Sequence, residues 1–238
     1  MDDGPESIDK SISMARTAVK DGIHSIVATP HTLNGIYINP VEKIRSSLKD
    51  MERVLIEKEI HLSLYTGADI HLCKNIVDQI NKGFACTINE NGKYILLELP
   101  PQIIPQGVKE EIFNLRLHGI TPIITHPERH PLIQRDLSIL AQLISFGALS
   151  QITSMSITGH FGRSVMACTK KILINRLAHV IASDAHSPDR RPPLLSHAVE
   201  VAADIMKDYQ FAQRMVTEIP LAIISGEKVD VPEPVINY

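Results

Sequence analysis

Apolar residues recur along this chain with two different spacings. At intervals of three and four, Ile8, Ile12, Ala15 and Val19 line one stripe that Gly22 closes, and Ile44, Leu48, Met51 and Leu55 line another. That spacing keeps side chains on one face of a helix. Between such stripes lie short runs rich in apolar residues at 23–28, 62–65, 94–97, 120–125, 148–153 and 179–183. Runs of this length between turn residues predict buried strands. Further helices are predicted at 74–80, 108–117, 133–145, 163–176, 194–217 and 219–225. Asp3 and Glu6 are spaced as a capping box with Pro5 in the first turn, which predicts the start of the first helix there. Strands alternating with helices imply right-handed β-α-β units and a parallel sheet, closed as a barrel or doubly wound. No repeat or Gly/Ser linker divides the pattern, so 1–238 reads as a single α/β domain.

Composition narrows the function more than the fold. The 24 Lys and Arg against 27 Asp and Glu leave a net charge of −3, without the cationic surplus of a nucleic-acid binder. With no Trp, five Tyr and five Phe, a base-stacking surface is hard to build. Cys73, Cys86 and Cys168 are odd in number and widely spaced, which fits a reducing cytoplasm rather than a disulfide framework. No apolar run is long enough for a transmembrane helix, and the acidic start MDDGPESID is the reverse of a signal peptide.

The eleven His are the unusual figure, and their placement is more informative than their number. His31, Asp69, Glu98, His126, then Asp184 and His186, follow the carboxyl ends of one predicted strand after another. Barrel enzymes assemble their active sites from those ends. Imidazoles and carboxylates so gathered suit a cluster of two or three divalent cations, a device for phosphoester hydrolysis. Plainer readings stand beside this one. Ser183-Asp184-Ala185-His186 could be a helix cap with a passing His, and Glu98 could pair with Arg129. Arg129 and Arg191 stand close to proposed ligands and suit bidentate phosphate contacts; Arg190 is as well explained by exposure. His24, His61, His71, His118, His130, His179 and His197 are read as structural, and His160 is left open.

The stretches DDGPES (2–7), IVATPH (26–31), NGIYINP (34–40), TGADI (66–70), LLELP (96–100), PIITHPERH (122–130), QITSMSITGHFG (151–162) and VIASDAHSPDRRPP (180–193) carry a resemblance. The chain resembles the manganese-dependent tyrosine-protein phosphatases of bacterial capsule and exopolysaccharide clusters, the CpsB/CapC type of the polymerase-and-histidinol-phosphatase superfamily. The resemblance implies a distorted (β/α)7 barrel of TIM-like form and hydrolysis of phosphotyrosine on a capsule-type tyrosine kinase. It also implies a cytoplasmic setting. By motif position His31, Asp69, Glu98, His126, Asp184 and His186 take metal-ligand places, with Asp69 one methylene shorter than the usual Glu. Arg129 and Arg191 take the phosphate-facing places. The implied metal is Mn²⁺, two or three ions, with Fe, Zn, Co or Mg as alternatives; self-association is left open. Relatives of this type begin with a strand carrying His-x-His, whereas this sequence begins at Met1-Asp2-Asp3-Gly4-Pro5. The expectation is a start placed too late, so that a first strand and two ligands are missing and activity is weakened. The competing readings are a catalytically impaired regulatory domain and a histidinol-phosphatase type of phosphoesterase.

Overall fold

The structure, a computed structural model, describes residues 1–235. Its strands are β1 (Ser25–Ala28), β2 (His31–Thr32), β3 (Ser63–Thr66), β4 (Asp69–His71), β5 (Tyr94–Glu98), β6 (Thr121–Thr125), β7 (Leu149–Thr153) and β8 (Val180–Ala182). Every pairing among them is parallel. β1 pairs with β3, and the larger sheet runs β2-β4-β5-β6-β7-β8. Spatial order follows chain order without the reversal that defines a doubly wound sheet.

β2 and β4 were hidden inside the predicted strand ends. The chain breaks pairing at Thr29-Pro30 and again at Gly67-Ala68, at the same level of neighbouring strands, and resumes with His31 opposite Asp69. Pro30 has no N–H to give to a ladder. A Cβ on Gly67 would stand 2.7 Å from Val27 Cγ1 and 3.3 Å from the Ala28 carbonyl, so the two breaks nest only because Gly67 has none. The twin breaks set two chemistry-bearing side chains abreast.

The main core lies where β4–β7 meet their covering helices. Ile70, Ile95, Leu97, Ile123, Ile124 and Ile152 are buried against Ile112, Leu115, Leu140 and Ile172. β5 is buried on both faces over Tyr94–Leu97, as expected for a parallel strand between helical layers. A smaller cluster of Ala15, Leu55 and Ile60 lies with helices Ile8–Lys20 and Val41–Glu57.

Three predicted elements differ. The first helix is capped by Ser7, whose hydroxyl accepts from Lys10 N, so the capping box at Asp3 and Glu6 does not form. Glu6 instead pairs with Lys10 on the surface. The predicted helix 133–145 is two, Pro131–Arg135 and Ser138–Ser145, because Asp136 adopts an extended backbone and its carboxylate caps Ser138 N. The stretch 194–217 is likewise two helices, Ser196–Met206 and Tyr209–Arg214, parted at left-handed Lys207 with Asp208 capping Phe211 N.

The Asp21 carboxylate, at the end of the first helix, accepts from the backbone N–H of Leu195 (2.6 Å) and Ser196 (3.1 Å) and from the Ser196 hydroxyl (2.6 Å). It therefore caps a helix from the last quarter of the chain. This contact holds the amino-terminal segment beside the end of β8.

Candidate metal centre

His31 and Asp69 open β2 and β4, Glu98 ends β5, and His126 follows β6. His31 Nδ1 lies 3.5 Å from Glu98 Oε2 and 3.7 Å from Asp69 Oδ2. His126 Nε2 lies 3.5 Å from Glu98 Oε1 and 3.9 Å from Asp69 Oδ2. Two imidazoles thus flank two carboxylates at separations longer than a good hydrogen bond. His31, Asp69 and Glu98 offer ligand atoms within 4.8 Å of one another. His31 Nδ1 is buried and makes no hydrogen bond. Asp69, one methylene shorter than Glu, still reaches both imidazoles, and its other oxygen accepts from the Thr125 hydroxyl at 3.2 Å.

A second group shares His31. Asp3 Oδ1 lies 3.8 Å from His31 Nε2 and 3.6 Å from His186 Nε2, and these three also offer ligand atoms within 4.8 Å of one another. Residues 1–3 are held there by β2 and the loop after it: Asp2 Oδ2 accepts from His31 N at 3.0 Å, and the Met1 carbonyl accepts from Asn39 Nδ2 at 3.3 Å. Asp3 was not among the sequence candidates, having been read as a helix cap. His71, read as structural, places Nδ1 3.5 Å from Glu98 Oε2.

Asp184 belongs to neither group of three, although its carbonyl lies 2.9 Å and its Oδ1 3.9 Å from His186 Nδ1. Its Oδ2 accepts from Arg129 at 2.7 Å and from Arg191 at 2.5 Å, and the Asp184 carbonyl accepts from Arg191 at 3.1 Å. The same Arg129 guanidinium donates to the Thr153 hydroxyl at 2.7 Å. Both arginines lie over the ring of Phe161, at 4.2 and 5.8 Å from its centroid. The alternative pairing of Glu98 with Arg129 is not made; Arg129 pairs with Asp184.

The backbone that aims these groups is strained. His126 (φ +36°) and Asp184 (φ +49°) both occupy the left-handed region. Such a conformation costs a non-glycine residue on the order of 1–3 kcal/mol and persists only where the surroundings enforce it. For His126 the enforcement comes from Glu128, which is 0 % exposed in the turn Pro127–Arg129. One of its carboxylate oxygens accepts from Thr153 N at 2.9 Å and from the Ser156 hydroxyl at 2.7 Å, tying the turn to the end of β7. His130 and His179 are structural, as read: His130 caps Leu132 N, and buried His179, lowered to about 4 by desolvation, accepts from Ser150 N.

The charges show how crowded this cluster is. The Glu98 carboxylate raises His31 to about 9, against the opposing effect of burial. Burial pushes Asp69 up to about 6, although His126 and His31 pull it down. Burial also pushes Glu98 up, but hydrogen-bond-like contact with His126 and His31 outweighs it and the carboxyl falls well below its usual range. Burial lowers His126, and the carboxylates of Glu98, Asp69 and Asp184 together more than reverse that. These groups are arranged around charge that a divalent cation would share. The N and O donors, the spacing and the unpartnered His31 nitrogen fit Mn²⁺, Fe or Zn.

A family model described as capsular polysaccharide synthesis, CpsB/CapC, matches residues 1–225. CapC of Staphylococcus aureus is 39% identical over 195 residues, covering 82% of this chain and 76% of that protein. The tyrosine-protein phosphatase YwqE of Bacillus subtilis is 37% identical over 191 residues, covering 80% of this chain and 75% of its own. A solved chain from work on YwqE of Bacillus subtilis and CpsB of Streptococcus pneumoniae, described as unique metal-dependent tyrosine phosphatases, superposes with a TM-score of 0.92. It is 33% identical, and the match covers 98% of this chain and 94% of that one.

Proposed function

This chain belongs to the CpsB/CapC family of capsular polysaccharide synthesis, and from that membership we propose that it is a metal-dependent tyrosine-protein phosphatase. The observation that carries the reading is the convergence of His31, Asp69, Glu98 and His126 beside two arginines. In this reading His31, Asp69, Glu98 and His126, with Asp3 and His186, hold two or three divalent ions, Mn²⁺ foremost. Asp184 joins them when its arginines turn to substrate.

Bound divalent ions supply an acidified water and neutralise charge on phosphate oxygens. The protein's own groups do the rest. Arg129 and Arg191 bind non-bridging oxygens through their planar guanidinium forks, as Lys would not. Phe161 keeps both guanidiniums facing the mouth. Water attacks phosphorus, the bond to the tyrosyl oxygen breaks, and tyrosine and inorganic phosphate leave. The phenol's ordinary pKa near 10 makes that oxygen a good leaving group needing little protonation.

The physiological substrate in this reading is a phosphotyrosine-bearing kinase of a capsule or exopolysaccharide system. The parallel sheet forms the wall of a distorted (β/α)7 barrel, and residues 1–238 form one domain. Among the described residues no helix is long and apolar enough to cross a membrane, and the three cysteines are free, which favours a cytoplasmic setting. The test is phosphate release from a phosphotyrosine peptide by protein loaded with Mn²⁺, against a phosphoserine peptide, histidinol phosphate and a chelator control. Selective release from phosphotyrosine, abolished by the chelator, supports the reading; equal or faster release from histidinol phosphate removes it.

A further inference from the structure

The loop that follows β2 is built like a fixed rim. Leu33 (φ +62°) and Gly35 (φ +79°) turn the chain sharply. Asn34 Oδ1 then accepts from the backbone N–H of Ile36 (3.0 Å) and Tyr37 (2.8 Å), closing the turn on itself. At the far end Asn39 is 0 % exposed, and its amide donates to the His31 carbonyl at 2.9 Å. Its side-chain oxygen accepts from Lys43 at 2.9 Å. The far end of the loop is thus fastened to the backbone of His31, a metal-centre residue in the strand that leads into the loop. Tyr37 lies nearly parallel to the His31 ring, centroids 6.3 Å apart and planes 17° apart. On either side of it Ile36 and Ile38 stand 78% and 77% exposed.

Two solvent-facing isoleucines on a hydrogen-bonded loop tip serve no core. Single exposed apolar residues are ordinary, but a pair held rigid at the mouth of a site forms a surface that loses little entropy on binding. The nearest event is the arrival of a phosphotyrosine whose phosphate must reach past His31. The residues on either side of that tyrosine in its own chain must then lie across the rim.

We propose that Ile36 and Ile38 are specificity determinants that receive apolar side chains flanking the phosphotyrosine, with Tyr37 alongside its ring. This rests on the phosphatase reading above. The lip selects the peptide and leaves the phosphate to the cluster.

The test uses the metal-loaded full chain and the double variant Ile36→Ser, Ile38→Ser, with three substrates. These are free phosphotyrosine, a phosphotyrosine peptide flanked by Ile, Leu and Val, and one flanked by Gly and Asp. The wild-type chain should favour the apolar peptide in kcat/KM. In the variant the ratio of apolar to polar peptide should fall about tenfold, the size of partly burying two such side chains. An unchanged ratio overturns the proposal. So does an unchanged ratio accompanied by a smaller particle in light scattering, which would make the lip a contact between copies of this chain. Failure of the wild type on all three substrates, free phosphotyrosine included, would instead remove the phosphatase reading and this proposal with it.

Discussion

Two halves of the candidate site are held together in opposite ways. On the β2-β4-β5 side, joined by His126 from the end of β6, imidazoles and carboxylates face each other at 3.5–3.9 Å, and the buried His31 Nδ1 has no hydrogen bond. On the β6-β7-β8 side, Arg129, Thr153, Arg191 and Asp184 bond at 2.5–2.7 Å. The first half is spaced for something between its members. The second is already bonded through Nη2 of both arginines, although Nε of each is buried without a partner. A phosphate that takes the Nη2 donor of either arginine displaces Asp184, so the two anions compete for those donors. That competition offers a means of keeping the paired arginines from binding stray anions.

The largest effect should come from the loosely spaced half. Glu98→Gln removes a carboxylate that lies 3.5 Å from each of His31, His71 and His126. Activity on a phosphotyrosine peptide should fall about a thousandfold, the scale of losing stabilisation of developing charge, and bound metal should fall with it. Elemental analysis showing full metal content in this variant would break the division into halves.

Asp184→Ala tests whether that carboxylate belongs to both halves. Metal content and activity should drop together, activity by about a hundredfold. Were only activity to drop, Asp184 would be a partner of the arginines and nothing more.

Arg129→Lys should act on the second half alone. Lys keeps the charge but cannot hold Asp184 and Thr153 with a planar fork. We expect activity down by about ten- to a hundredfold with metal content preserved, read by the same two measurements.

The smallest effect is on stability and concerns protein stripped of metal. His31 is raised from an ordinary 6.5 to about 9, so its contribution is complete below 6.5 and lost as pH climbs through 9. His126, also raised, acts in the same direction. Glu98 is lowered, so its contribution is present above its ordinary value and is lost only in acid. Asp69, raised to about 6, loses its protonated-state advantage between 3.8 and 6 and is silent above that window. Melting temperature of the metal-free chain should therefore fall between pH 6.5 and 9.5. Added Mn²⁺ should flatten the slope, because a bound cation takes the place of the imidazole proton. A flat profile without metal would mean that the two halves are less different electrostatically than their spacing suggests.

Much of the site was legible because parallel strands put chemistry at a recognisable place. His31, Asp69, Glu98 and His126 each follow an apolar run, and the run's end is visible in the residues alone. The reading stopped where the signal was local and ambiguous. Asp3 sits three before an acidic residue and two before Pro5, a pattern shared with helix caps; only the fold brings it to His186. His71 lies in a three-residue strand, too short to display which face it takes. The breaks at Pro30 and Gly67 looked like strand ends because a single chain does not show that a neighbour breaks at the same level. Asp136 interrupts a continuous apolar helix pattern through its own backbone, which periodicity does not record.

The Asp21 cap on the helix at Ser196 also sets an order of events in time. It joins residues 175 apart, a closure whose entropy costs about 4.6 kcal/mol for a flexible loop of that length. A ribosome adding 5–20 residues per second needs roughly 10–35 s to deliver the second partner after the first. In that interval His31, Asp69, Glu98 and His126 are all synthesised before His186, the partner of Asp3. Assembly of the two ligand groups is therefore sequential, and the group shared with Asp3 comes last. Nascent chains stalled near residue 160 should have their first helix cut readily by protease, whereas chains released at full length should protect it.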